Sequence, residues 1–178
     1  DFCDCSIIKP IKNIEKKYDF IYICLKQNEK LEKCDDWATY NKNWTLAKQC
    51  LSIMCKKFKL KGLLVGRKDC DIDDACNNLM TKTNMLKYDE LKKAYQESKF
   101  IFLPNVADAS PRVLTEAFCS NIPCLINRNI LGGWKYINDK TGEFFENTND
   151  IEIAIEKLLN KINNNEYEPR KYFIENYG

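Results

Sequence analysis

This chain predicts an α/β fold with a parallel sheet, on three observations. Short apolar runs at Tyr18 to Cys24, Leu60 to Val65 and Phe100 to Leu103 have the length and near-continuous hydrophobicity of strands buried on both faces. Between them lie segments with helical spacing, such as Trp44 to Phe58, where Leu46, Cys50, Ile53 and Met54 form an apolar stripe. The two kinds of segment alternate at the rhythm of crossover units, with no internal repeat.

Size and composition bound the function. The 178 residues make one domain by length, large enough to bury a substantial core. A hydrophobic content of 44% with 30% charged residues is ordinary for a soluble globular protein. Net charge is only +2, and the basic residues are 24 dispersed lysines and four arginines, which speaks against nucleic acid as a partner. No apolar run is long enough to span a bilayer, and the start does not resemble a secretory leader.

Ten cysteines are present, with no CxxC pair and no histidine. A zinc site would need irregularly spaced thiolates alone, so no metal is expected. Reduced, mostly buried cysteines in a cytoplasmic protein are the expectation. The absence of histidine removes every Ser–His or Cys–His nucleophile and any histidine base. The wealth of lysine, asparagine and isoleucine suits an AT-rich genome, such as that of a large DNA virus.

In chain order, residues 1–17 read as a lysine-rich lead-in, and the first strand follows. Leu25 to Asn41 is a polar connection too long for a simple turn. Asn43 is placed to cap the helix from Trp44, and Gly66-Arg67-Lys68 turns the chain after the second strand. Leu79 to Thr83 reads as a short strand, Asp89 to Ser98 as a helix. Beyond the central stretch come a turn at Asn129 to Trp134, a strand at Gly142 to Phe145 and an amphipathic helix over Asp150 to Ile162. A polar linker to Pro169 precedes a last helix, Arg170 to Tyr177. The first strand runs on into Leu25-Lys26-Gln27, without the acidic cluster of a receiver-type signalling domain.

Pro104 to Asn127 carries the chemistry. A buried strand leads into a polar turn, then a helix over Pro111 to Ser120, then a strand at Ile122 to Ile126. Ser110 suits the N-cap and Pro111 the first helical position. In an open parallel sheet such a loop lies at the carboxyl edge, where ligands bind. Free N–H groups and the helix dipole there favour an anion. Arg112 gains nothing from the dipole in the first turn and points to a partner: a phosphate, or a carboxylate such as Asp108 or Glu116.

ASPRVLTEAFCSNIPCLIN followed by NILGGWKYINDKTGEFF resembles the donor-binding half of a family 4 glycosyltransferase of the GT-B kind. The matching features are Asp108, Glu116, Ser120-Asn121-Ile122-Pro123, Gly132-Gly133 and Thr141-Gly142, in family order over residues 108–142, and the resemblance as a whole covers about residues 18–177. The resemblance implies a Rossmann-like parallel sheet flanked by helices, the C-terminal half of the two-domain fold. It divides the chain into a lead-in (1–17), a donor-binding domain (18–165) and a C-terminal helix (166–178) returning toward a missing N-terminal domain. It further implies retaining transfer from a nucleotide-sugar of UDP or GDP type to an acceptor, without a metal or cofactor. The isolated piece would turn over weakly or not at all, and the alternative is an inactive nucleotide-sugar-binding module or an accessory half of a larger assembly.

Residue by residue, the resemblance gives Glu116 the ribose hydroxyls, Asp108 the sugar ring and Lys42 the diphosphate. Ala109, Ser110, Pro111, Arg112 and Val113 would meet the phosphates, Gly132-Gly133 would join them in binding the donor, and Met85 and Leu86 would line the base pocket. Two departures stand out. Asp108 replaces the family's usual glutamate, and Trp37 occupies the place of a phosphate-binding arginine, for which Lys26, Arg67 or Arg112 are candidate substitutes. Trp134 and Tyr136 read as packing residues before sugar platforms.

Overall fold

The computed structural model describes residues 3–26, 28, 30–31, 33–35, 38–108 and 111–178. Six strands form its main sheet: β1 (Tyr18–Ile23), β2 (Gly62–Val65), β3 (Met80–Thr83), β4 (Ser98–Leu103), β6 (Cys124–Asn127) and β8 (Gly142–Phe145). Their spatial order is β3-β2-β1-β4-β6-β8, and every pair is parallel. A second sheet has two short strands, β5 (Ala107–Asp108) and β7 (Leu131–Gly132). The helices are α1 (Ala38–Lys42), α2 (Trp44–Phe58), α3 (Tyr88–Gln96), α4 (Arg112–Cys119), α5 (Ile151–Asn163) and α6 (Pro169–Tyr177).

Side chains that alternate along each strand divide the core in two. Phe20, Tyr22, Phe100 and Phe102 face α2 and α5, meeting Leu51, Met54, Ile155 and Leu158. Ile21, Ile23, Ile101 and Leu103 face the other way, toward Tyr95 of α3, Leu114 and Phe118 of α4, and Phe173 of α6. On the first face Phe20 stacks on Phe100 at 5.8 Å and meets Phe102 edge-on at 6.5 Å. Helices cover both faces, which is why the strands read as continuous apolar runs.

Several boundaries move for local reasons. β4 starts at Ser98, because that residue already pairs with Tyr18, and the helix before it ends at Gln96. Asn121 adopts φ 59° and stops α4, with the Ile122 N–H donating to the Ala117 carbonyl at 3.0 Å. Strand pairing then begins only at Cys124. α4 itself begins at Arg112, so Pro111 is its N-cap instead of its first residue; Ser110, the expected cap, lies outside the described residues. Asn43 does precede α2, but in the left-handed region (φ 55°) and without a capping hydrogen bond.

The cysteines overturn the expectation of a reduced set. Disulfides join Cys5–Cys119, Cys34–Cys70 and Cys55–Cys76; Cys3, Cys24, Cys50 and Cys124 are free thiols. Burial does not keep these cysteines apart: the fold brings together pairs separated by 21 to 114 residues. The first pair pins the lead-in onto the end of α4. Arg170 reinforces that junction, donating to the carbonyls of Ile8 at 2.7 Å, Cys119 at 2.5 Å and Cys5 at 2.8 Å.

Candidate functional site

Strand order reverses between β1 and β4, so the sheet's crevice opens beyond Ile23 and Leu103. Side chains and backbone fasten three connections around it. Asn43 donates from Nδ2 to the Pro104 carbonyl at 3.0 Å, and Asn127 does the same at 3.1 Å. The Tyr22 hydroxyl donates to the Lys42 carbonyl at 3.2 Å, and the Val106 N–H to the Asn41 carbonyl at 3.0 Å. Half-buried Lys42 is thereby fixed beside the loop that follows β4. Asn43 is thus a clamp between α2 and that loop.

The β5–β7 ladder builds the next layer. It sets Asp108 opposite Gly132, and the Leu131 N–H donates to the Val106 carbonyl at 3.0 Å. Gly132 has φ 98°, a conformation that favours glycine. Gly133 allows close packing: a Cβ there would lie 3.0 Å from Ile130 Cδ1 and 3.1 Å from Pro111 Cγ. The double-glycine loop therefore rests against the start of α4. Asp108, Pro111, Gly132, Gly133 and the Lys42 backbone converge on one rim. Val113 is half-buried on the same helix turn, and Ala109 and Ser110 lie outside the described residues.

Glu116 sits one turn deeper and is only 3% exposed. Its Oε2 accepts from the buried Tyr95 hydroxyl at 2.9 Å, and its Oε1 from Arg112 Nε at 3.0 Å. Burial, then the Glu116 charge, push the Tyr95 hydroxyl pKa well above its usual value. The same carboxylate raises the Arg112 guanidinium pKa. Arg112 Cζ also lies 5.9 Å from the Tyr88 ring. Of the partners open to Arg112, the structure selects Glu116. Nothing local in the sequence marks Tyr88 and Tyr95, because only the fold carries α3 alongside α4.

The remaining candidates are more dispersed. Half-buried Lys26 follows the end of β1. Arg67 is fully buried, donating from Nε to the Cys24 carbonyl at 3.0 Å and from Nη1 to the Cys34 carbonyl at 3.3 Å. That position makes it a brace between the loops that follow β1 and β2. Met85 is exposed on the turn before α3, while Leu86 packs against the second core cluster. Tyr136 is buried, as a packing residue should be, whereas Trp134 is 57% exposed beside Gly133. Among the described residues no group of three acidic, cysteine or histidine side chains is arranged to hold a metal. Nor is any of their helices long and apolar enough to cross a membrane.

Sheet order, helices on both faces and a loop-bounded rim at the switch point define a Rossmann-like α/β domain. The chain belongs to the family described as Glycosyl transferases group 1, whose sequence profile matches residues 38–177. Sequence comparison with curated proteins gives no match. Sucrose-phosphate synthase from Thermosynechococcus elongatus superposes at TM-score 0.71 and 13% identity, over 98% of this chain and 46% of its own. A S. aureus TarM mutant, in complex with Fondaparinux, alpha-GlcNAc-glycerol and UDP, superposes at TM-score 0.69 and 16% identity, over 99% and 36%. The C-terminal domain of the group 1 glycosyl transferase LpcC from Francisella tularensis gives TM-score 0.65 and 16% identity, over 98% of both chains. This chain thus spans about half, or less, of the first two proteins and matches the third throughout. The fold is that of a GT-B C-terminal domain.

Proposed function

We propose that this domain binds a nucleotide-diphosphate sugar of UDP or GDP type for retaining, metal-independent hexosyl transfer. The acceptor would be held mainly by a second, N-terminal domain. The observation that most supports this reading is the β5–β7 ladder, which sets Asp108 against Gly132 at the switch point, beside the Lys42 backbone and the start of α4. In this reading the amides of residues 109–113 and the α4 dipole meet the diphosphate, with Lys42 as cation. Asp108 meets the sugar hydroxyls and Glu116 the ribose. Fixed positive groups then stabilise the departing diphosphate, the task a metal performs in other transferases.

One observation favours a second reading, a nucleotide-sugar-binding module without turnover: both oxygens of Glu116 are already engaged. Donor hydrolysis or transfer by the full-length protein separates the two. The cytoplasmic and viral assignments are further proposals. The first loses its support from cysteine chemistry, since three disulfides favour an oxidising compartment.

A thermal-shift titration with a panel of nucleotides and nucleotide-sugars tests donor binding. A UDP- or GDP-type ligand at about a hundred times its Kd adds about 2.7 kcal/mol, so the melting temperature rises by roughly 5–10 °C. Glu116→Ala abolishes the rise. A melting temperature unmoved by every nucleotide contradicts the reading.

A further inference from the structure

We propose that Arg112 is an exchangeable ligand: it occupies the ribose seat on Glu116 in the free protein and passes to the diphosphate when a nucleotide displaces it. Because Glu116 is taken as the ribose ligand, this exchange rests on the nucleotide-binding reading above. The geometry distinguishes the two groups on the carboxylate. Tyr95 is wholly buried and holds Oε2 from the core, whereas the Arg112 side chain is 71% exposed and holds Oε1 from the solvent side. The Glu116 side chain itself is 4% exposed. A ligand approaching from solvent therefore meets Arg112 first.

The physical chemistry favours an exchange. A buried carboxylate needs donors, and Arg112 supplies one of two. The vicinal hydroxyls of a ribose supply equivalent donors to the same oxygen. The cation of this i,i+4 pair is exposed, so solvent already screens it and it can yield to a ligand that replaces its donor on Glu116. Arg112 also starts α4, so its released guanidinium stays within a side chain's length of the loop amides where phosphate would sit. Tyr88, 43% exposed with its ring 5.9 Å from Arg112 Cζ, flanks the path between the two positions. A nucleoside must evict Arg112 and leaves the guanidinium without an anion. A nucleoside diphosphate offers the guanidinium a new anionic partner, so Arg112 becomes a selector for diphosphates.

Calorimetric titration of uridine, UDP, guanosine and GDP into the wild type and Arg112→Ala tests this, with melting curves confirming that the variant is folded. The variant should bind the matching nucleoside about three- to tenfold more tightly and its diphosphate more weakly, so that the diphosphate-to-nucleoside preference falls by at least about tenfold. Added salt should strengthen nucleoside binding to the wild type and not to the variant, because it screens the pair that must be broken. Equal changes for nucleoside and diphosphate, or loss of nucleoside binding in the variant, would overturn the exchange while leaving the nucleotide site standing. No binding of any of the four by either protein would overturn both.

Discussion

Two arginines near the carboxyl edge of the sheet stand in opposite circumstances. Arg67, after β2, is fully buried, lies with Cζ 5.7 Å from the Trp44 ring and has no carboxylate partner among the described residues. Two backbone carbonyls hold it, and its Nη2 has no hydrogen-bond partner among the described residues. Arg112, at the start of α4, reverses this: the cation is exposed and its carboxylate partner is buried. A guanidinium sealed between loops cannot change partners, because its own desolvation and two orphaned carbonyls oppose release. One at the surface can. Position within the fold separates a braced arginine from an exposed one where residue type does not.

The harshest way to break the braced region is reduction, since Cys34, whose carbonyl holds Arg67, is itself disulfide-bonded to Cys70. Three disulfides at about 2–4 kcal/mol each imply that a reductant lowers the melting temperature by more than about 10 °C. An unchanged melting curve would mean that the pairs do not form in solution.

A finer comparison sets Arg67→Ala against Arg112→Ala in urea unfolding. The first should lose about 2–4 kcal/mol, through a cavity and lost carbonyl partners, and keep its nucleotide affinity while folded. The second should lose less, about 1–2 kcal/mol, because water takes the place of an exposed cation on Glu116, and should change its affinities. If Arg67→Ala lost affinity and kept its stability, Arg67 would be the phosphate cation and the contrast would fail.

A last comparison concerns one thiol from each neighbourhood. Burial first, then Glu116, pushes Cys3 up to about 11. Burial, then Asp150, pushes Cys50 up to about 12. The folded protein keeps these protons while the unfolded chain releases them near its ordinary value of 9.0. Their contribution is therefore complete below about pH 9 and is lost as pH rises through 11 and 12. Urea midpoints should fall between pH 8 and 11 by less in a Cys3→Ser, Cys50→Ser variant than in the wild type.

Much of this molecule is legible in its residues. Alternating runs such as Phe20-Ile21-Tyr22-Ile23 locate strands, because two buried faces demand apolar side chains at every position. The helix from Trp44 to Phe58 matches its expected bounds, since stripe and polar flank agree. Asp108, Gly132 and Gly133 were marked by type and spacing, but their union depends on a two-residue ladder too short to leave a pattern. The disulfides were hidden for a related reason: Cys5 meets Cys119 only after the lead-in packs on α4. Burial of Arg67 and clamping by Asn43 are likewise long-range outcomes. A local sequence shows a donor group and leaves its distant acceptor unmarked.

The central claim is that a nucleotide diphosphate seats at the start of α4 with its ribose on Glu116. A crystal structure with UDP or GDP, whichever raises the melting temperature, measures this directly. The account predicts phosphate density against residues 108–113, ribose hydroxyls within hydrogen-bond distance of Glu116, and an Arg112 side chain turned off that carboxylate. A nucleotide bound at another edge of the sheet, with the Arg112–Glu116 pair intact, would contradict it.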